Sequence, residues 1–557
     1  MKLSTYFGSY KKSNTKQLIK YISILEKKVE KYYNFGKPFF KGNFKLNYKE
    51  YLQKCELNYN SMTPENTFDY ISPLFQNLPN WNNPGTMINV IPPVNLISMA
   101  SISFAGLYNS NFAQDTYAGL LIAAELEVAK YISDLVSWNW QKSYGVFTFG
   151  GKGTSLYATK IALNKCNPEI PKIGCENGKY FMITTATAHP CHYQVCDWLG
   201  IGTDSCIIAP CDENERINIK ETEEIIHKNI KKGKIFLGFN LNGGSTNELT
   251  VDPIKKIYEM NLKIVHKFNL GYQPHIHVDS VLGWVSLFFN DYNYKTNPLN
   301  INEPHLNKIK SLNSKVREIK YADSIGVDFH KTGFCPYVSS IFIVKNKKDF
   351  YRLNPSSEKS LDELQYGNYS PYETTLELTR ACTGAIAALT CLKSLGVKGF
   401  QEIISTLFSS TEYFRETLTT NKNICVINPN TEGFATLFII KPKIYLKKSL
   451  NDILNLPETE INYIKNFNIN YGKFVLDKGK NREISFTFTS SRSYMIPGTK
   501  IKLGALKAYP MSVFLNRKEV KRITNEIFTN IDEYINNQSN ISLNNQSISD
   551  DMVYRVK

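Results

Sequence analysis

DSIGVDFHKTGFCPY, residues 323–337, is the central signal in this chain. A short apolar run reads as a strand and ends at His330-Lys331, followed by Thr332 and Gly333. A lysine at a strand end can be held partly out of water, which lowers its pKa and frees its amine for imine chemistry. Most lysines are surface residues, so the position needs support from elsewhere in the sequence. That support begins upstream in HIHVDSVLGW, residues 275–284, where strand alternation places His275, His277 and Asp279 on one face. A carboxylate there can pair with a protonated ring nitrogen. Two imidazoles and a carboxylate also make a metal-ligand set, but three successive same-face strand positions supply its geometry awkwardly, and no metal is expected.

Further towards the N-terminus, YGVFTFGGKGTSLYATKIAL (144–163) places a glycine-rich turn before a helix. Unpaired amides and the helix dipole make such a start a phosphate cradle, although a plain tight turn would look the same. It is not a Walker loop, because Lys152 precedes Gly153. In TATAHPCHYQVCDWLGIGTDS, His189 follows a strand, where an imidazole can stack on a flat ring, and His192 is close by. NLNGGSTNELTVDPIKKI puts Asn242, Ser245 and Thr246 after another strand, with hydroxyls suited to a phenolic oxygen or to an ordinary turn.

KYFMITTA, CIIAPC, KIFLGFNL, HIHVDSV, SIGVDFH and SSIFIVKN all read as strands, separated by polar helical stretches. That alternation predicts an α/β unit with a mainly parallel sheet. The expected division is a helical N-terminal segment over 1–115, a large α/β domain over 116–400, a small α+β domain over 401–535 and a polar tail over 536–557. Helices are predicted from Thr116 to Trp138, over Phe400–Leu418 and from Arg517 to Ile535.

The 557 residues are 42% apolar and 21% charged, an ordinary globular balance. The formal charge of +16 comes from scattered lysines rather than a patch, so no nucleic-acid partner is expected. Eleven cysteines, an odd number without a C-x-x-C pair, read as free thiols in a reducing compartment. The first residues alternate lysine with apolar side chains and lack a signal-peptide core. Pro92, Pro93 and Asn95 interrupt the apolar stretch 87–108, so no membrane span is expected and the protein reads as cytoplasmic.

Phosphate turn, stacking histidine, hydroxyl turn, aspartate strand and His-Lys follow one another in the order found in pyridoxal-phosphate (PLP) enzymes of the aspartate-aminotransferase type, fold type I. From about Asn83 to Gly399 the chain resembles the group II PLP-dependent decarboxylases, the family of the glutamate, aromatic amino acid, tyrosine and histidine decarboxylases. The resemblance implies phosphate contacts from the Lys152 and Gly153 amides and Thr154, ring stacking by His189, and Ser245 and Thr246 near the phenolic oxygen. It makes Asp279 the partner of the ring nitrogen, Lys331 the Schiff-base lysine and His330 its neighbour. YETTLELTRACTGAIAALTCLKSLGVKGF resembles a helix of the tyrosine-decarboxylase-like members. The implied activity is decarboxylation of an L-amino acid to its amine. Another PLP reaction (lyase, aminotransferase or aldehyde synthase) or a non-catalytic binding homologue stands as the alternative. A homodimer with shared sites is implied, the Asn83–Asn95 loop of one chain bordering the site of the other. The proton-returning tyrosine is expected among Tyr366, Tyr369 and Tyr372, with Tyr369 chosen. Departures are Asn83 before Pro84, where the family commonly has histidine, and Ser280-Val281 in place of small alanines.

Overall fold

The computed structural model describes residues 4–354, 357–496, 499 and 501–538. Its strands, in chain order, are β1 (Thr86–Met87), β2 (Tyr144–Thr148), β3 (Tyr180–Thr185), β4 (Cys206–Ala209), β5 (Ile235–Asn242), β6 (His275–Asp279), β7 (Ser324–Asp328), β8 (Ser340–Val344), β9 (Ile424–Val426), β10 (Thr436–Ile440), β11 (Thr487–Met495) and β12 (Lys502–Ala508). Each apolar run named above forms one of these, β3 to β8.

β2 to β8 build one seven-stranded sheet in the order β2-β8-β7-β6-β5-β3-β4. The neighbours from β7 to β4 are parallel, and β8 runs against both β7 and β2. Parallel strands need crossovers that cover both sheet faces, which is why β2, β3, β6, β7 and β8 are buried along their whole length. The helix Gly151–Cys166 packs across β5 to β8. It comes very close to β7, because a Cβ at Gly326 would lie 2.3 Å from Thr154 Oγ1. Only glycine fits there, and the approach brings the helix start beside the ends of β6 and β7. This is the fold expected from the sequence.

A second sheet, β1-β11-β12-β10-β9, is mainly antiparallel. Its edge is the two-residue β1, which pairs in parallel with β11. Met87, Phe414, Phe438, Tyr471, Phe488 and Ile527 form the apolar core beneath this sheet. The loop after β5 is anchored on it. Glu248 accepts hydrogen bonds from Tyr494 Oη at 2.6 Å and from Asn428, and Tyr509 Oη donates to Asn247 Oδ1 at 3.0 Å. Ser245 and Thr246 therefore sit on a loop held from both sides. Near β2, the buried Arg380 guanidinium pairs with the buried Glu125 carboxylate and donates to the Phe147 carbonyl at 3.0 Å. Both terminal nitrogens of the guanidinium are engaged, Nη1 also by the Phe112 carbonyl at 3.2 Å, while Nε has no partner among the described residues.

Three helix boundaries differ from expectation. The helix predicted from Thr116 begins only at Ala123, because Gly119 sits at φ 60° and breaks the first turn away. The helix predicted over Phe400–Leu418 is the second half of Thr383–Thr419, which bends where Gly396 adopts φ 60° and ψ −175°. Residues 374–382 of the stretch likened to a helix are non-helical and carry Glu377 and Arg380 inward, where Tyr157 Oη donates to Glu377 Oε2 at 2.6 Å. The last helix runs Arg517–Gln538, and the tail beyond it lies outside the described residues. Among the described residues, no helix is long and apolar enough to cross a membrane.

Candidate active site

In open parallel sheets, ligands bind beyond the carboxyl ends of the strands. Here β5 ends in Asn242, β6 in Asp279 and β7 in Asp328. A cavity of about 210 Å³ opens above these ends. Lys152, His189, Ser245, Thr246, Asp279, His330 and Lys331 line it, so most residues singled out from the sequence meet at one place. Gly151, Cys191, Asn242, Gly244, Val281 and Asp328 complete the wall.

Gly153 and Thr154 are not in that wall. The Gly153 amide donates to the Gly150 carbonyl at 2.8 Å, and the buried Thr154 hydroxyl donates to the Gly151 carbonyl at 2.7 Å. Both groups therefore donate within the turn and not toward the cavity, unlike the expected phosphate contacts. Gly151 and Lys152 begin the helix and face the cavity instead. A side chain at Gly151 would press on the Asp328 carboxylate at 3.2 Å, so its bare backbone keeps the cradle open. Tyr369 is also displaced: it is buried, with its hydroxyl 2.8 Å from that of Tyr144, and does not reach the cavity. Tyr366 and Tyr372 are exposed and line no part of it. The tyrosine beside the lysine is Tyr337, whose ring lies 4.2 Å from that of His330. Asn83 is buried elsewhere, donating to Thr86 Oγ1 and to the Ser485 carbonyl at 3.0 Å.

Asp328 is the largest omission of the sequence reading. It is 1% exposed, its Oδ2 stands 2.8 Å from Lys331 Nζ, and Ser340 Oγ donates to its Oδ1. Burial alone would pull Lys331 down, but the Asp328 charge and hydrogen bond, helped by Asp279, outweigh it and raise its pKa. The Lys331 amine is thus held as an ammonium ion, contrary to the lowered pKa expected from a strand-end lysine. His330 completes the group: Ser339 N donates to its Nδ1 at 3.2 Å, and its Nε2 lies 3.4 Å from Asp328 Oδ2.

Across the cavity the balance is different. Burial pushes the Asp279 carboxyl up to about 6, opposed by the Lys331 charge. Its Oδ1 accepts from the Val281 amide at 3.3 Å, and the only basic group within 4.0 Å among the described residues is His192, at 3.9 Å. A buried carboxylate that faces a cavity without a bound cation suits a cationic ring nitrogen. Burial, then Lys331 and Lys152, bring His189 down to about 4, so its ring is neutral. His189 Nδ1 accepts from the Cys191 amide at 3.1 Å, leaving a flat neutral ring at the wall.

Residues 67–439, more than half of the chain, match the pyridoxal-dependent decarboxylase conserved domain. The chain belongs to the pyridoxal-dependent decarboxylase family. It is similar to the L-2,4-diaminobutyrate decarboxylase of Rhizobium meliloti (strain 1021), 21% identical over 352 residues that cover 62% of this chain and 63% of the relative. The L-tyrosine decarboxylase of Enterococcus faecium is 26% identical over 279 residues, 46% of this chain and 43% of that one. The chain thus matches less than two thirds of the length of these relatives. Among solved structures, that of mouse CSAD superposes with a TM-score of 0.75 over 93% of this chain and 98% of that one, at 16% identity. The pyridoxal-dependent decarboxylase fold, of type I, is therefore shared.

The family's cofactor fits the donors present. Lys331 supplies an amine, Asp279 an unpaired carboxylate on the next strand, His189 a neutral flat ring, and the helix start at Gly151 a positive dipole end with open amides. One consequence follows from the Lys331–Asp328 pair. An ammonium cannot attack an aldehyde, so borohydride-trapped uptake of PLP should rise as pH passes the raised Lys331 pKa. Asp328→Asn removes a charge-assisted hydrogen bond of about 1.5–3 kcal/mol, so the uptake curve should move about 1–2 units to lower pH. A curve that stays in place would show that the pair does not control the amine.

Proposed function

We propose that this chain decarboxylates an L-amino acid to the corresponding amine and carbon dioxide, with PLP held covalently by Lys331. The observation that carries this reading is that Lys331 and Asp279, delivered by neighbouring parallel strands, face one cavity walled by the neutral ring of His189. Asp279 would take the ring nitrogen, His189 would lie against the ring, Ser245 and Thr246 would meet the phenolic oxygen, and the Gly151 and Lys152 amides would hold the phosphate. When bound, PLP supplies an aldehyde for amines and a ring that withdraws electrons.

The protein's own part is orientation, charge and proton control. Lys331 would hold the cofactor through its amine at the cavity wall. Asp328, 2.8 Å away, is placed to take its charge and keep it from straying. Asp279, anionic above its raised pKa, would hold the positive charge of the ring nitrogen. Tyr337, packed on His330 at the same turn but outside the cavity wall, would return the proton to the α-carbon by swinging inward, a role first expected of Tyr369.

A second copy of the chain fits this reading. Leu96, Ile97, Phe104, Tyr117 and Leu120 are exposed apolar residues on the N-terminal helices, more than a lone surface explains. Asn95 N donates to the Phe334 carbonyl at 2.8 Å, so this surface is tied to the turn that bears Lys331. We assign it to a homodimer, for which sedimentation should give a pair of chains and a monomer would count against the assignment. The cytoplasmic expectation is supported by eleven free cysteines.

The test is a screen of carboxyl-labelled L-amino acids with PLP-loaded protein. Equal release of carbon dioxide and amine supports the reading. A keto acid, an aldehyde or a cleaved side chain would move the activity to another reaction of the same fold. No reaction with any amino acid would favour a binding homologue.

A further inference from the structure

Behind Asp279, on the side away from the cavity, lies a second imidazole that the proposed chemistry leaves unused. His192 belongs to the short helix Cys191–Trp198 and is 1% exposed. Its Nδ1 is 3.2 Å from Asn240 Nδ2 on β5. An amide NH₂ only donates, so Nδ1 carries the lone pair and Nε2 carries the proton. That Nε2 is buried and has no hydrogen-bond partner, an expensive state for a donor. It lies 3.9 Å from Asp279 Oδ2, beyond hydrogen-bond length in this conformation.

The neighbours of His192 are two imidazoles, a thiol and the Asp279 carboxylate, and the carboxylate is the one anionic acceptor among them. The next imidazole inward is that of His277 on β6, whose Nδ1 is engaged with Ser324 Oγ at 2.9 Å. His275 takes the same hydroxyl at 2.8 Å. Asp279 is faced by His192 and Cys191 from the helix, and by Lys331 and Asp328 from the turn after β7. His192 is faced by His189 as well as by His277 and Asp279. Burial, then the charge of His189, holds His192 down to about 3, so it acts as a neutral donor and not as a counter-ion.

We propose that His192 is a positioning residue for Asp279: its neutral ring donates Nε2–H to the carboxylate, fixing its orientation and keeping it anionic for a cationic ring nitrogen. The proposal rests on the reading that Asp279 holds the cofactor ring. A donor to the charged form lowers a carboxyl's proton affinity. Without it, Asp279 takes up a proton at higher pH and holds the ring nitrogen's charge less well.

Three variants and three readouts test this. ¹⁵N-histidine spectra of the cofactor-free protein should show one resonance set, lost in His192→Phe, with the Nε2-protonated neutral pattern from pH 5 to 9. In PLP-loaded protein, His192→Phe should lower kcat about tenfold at nearly constant KM and raise the acid limb of the kcat profile. His192→Gln, whose amide can donate from a similar place, should restore most of both. The proposal is overturned if the His192 signal is cationic or Nδ1-protonated, or if His192→Phe keeps the wild-type profile. Should Asp279→Asn also leave the visible band unchanged, the reading of Asp279 itself fails. A band altered in Asp279→Asn but not in His192→Phe would sink only the role of His192.

Discussion

Replacing Lys331 with alanine is expected to cut amine production by at least ~10³-fold and to abolish borohydride-fixed PLP on the chain. The magnitude follows from what the amine does: it holds the cofactor covalently and serves as a nearby base, and loss of positioned proton transfer alone costs about 10²–10⁴-fold. Lys331 is one of the few groups in the wall that can form an imine, and Lys152, the other lysine there, has its ammonium on Gln194 Oε1 and the Trp198 ring. The fold should persist, since the Lys331 side chain keeps 26% of its surface open, although Asp328 loses its cation. Wild type beside Lys331→Ala, scanned before and after borohydride and then digested to find the labelled peptide, checks this. A labelled Lys152 peptide in the variant, with substantial turnover, would remove Lys331 from the centre of the mechanism.

For Asp279→Asn the expected loss is about 10²–10³ in kcat, the usual effect of removing one preorganised charge from a site shielded from water. Asparagine keeps the shape and the hydrogen bond from Val281 but cannot hold a cation at the far wall. The wild type should show a related pH dependence. Burial raises the Asp279 carboxyl to about 6, so the cofactor-free protein carries this negative charge above that value and loses it as pH falls through it. PLP capture should therefore weaken on acidification in wild type, and Asp279→Asn should flatten that limb. Stopped-flow capture across pH 5–8 distinguishes the two. An unchanged limb in the variant would assign the acid dependence to another group.

How much of this could be read from residues alone varied with the physics involved. β3 to β8 are apolar runs of strand length between turns, and such runs are legible because both faces of a parallel sheet are buried. That Lys331, Asp279 and His189 share one cavity was legible because each follows or ends a strand of the same sheet. Asp328 was hidden: a carboxylate ending a strand looks like a turn residue until the backbone folds Lys331 back onto it. Thr154 and Tyr369 failed for a different reason. Their hydroxyls found local partners, Gly151 and Tyr144, and no pattern of residue types records where a hydroxyl points. Gly119 and Gly396 interrupt helical patterns whose apolar spacing runs on across them, so periodicity placed those helix ends wrongly. β1 is two residues long and pairs with a strand some four hundred positions later, beyond any local signal.

That last pairing has a consequence in time. Thr86 bonds into the sheet opposite Thr487, so the edge strand leaves the ribosome long before its neighbour exists. At about 5–20 residues per second the wait is roughly 20–80 s. Met87 is 1% exposed in the finished protein and must stay uncovered, or covered by something else, throughout that interval. The seven-stranded sheet, complete once Val344 has emerged, can form meanwhile. Newly made chains should thus pass through a stage in which the first sheet is closed and the N-terminal segment still hangs free, open to a chaperone, a protease or the same segment of a second nascent chain.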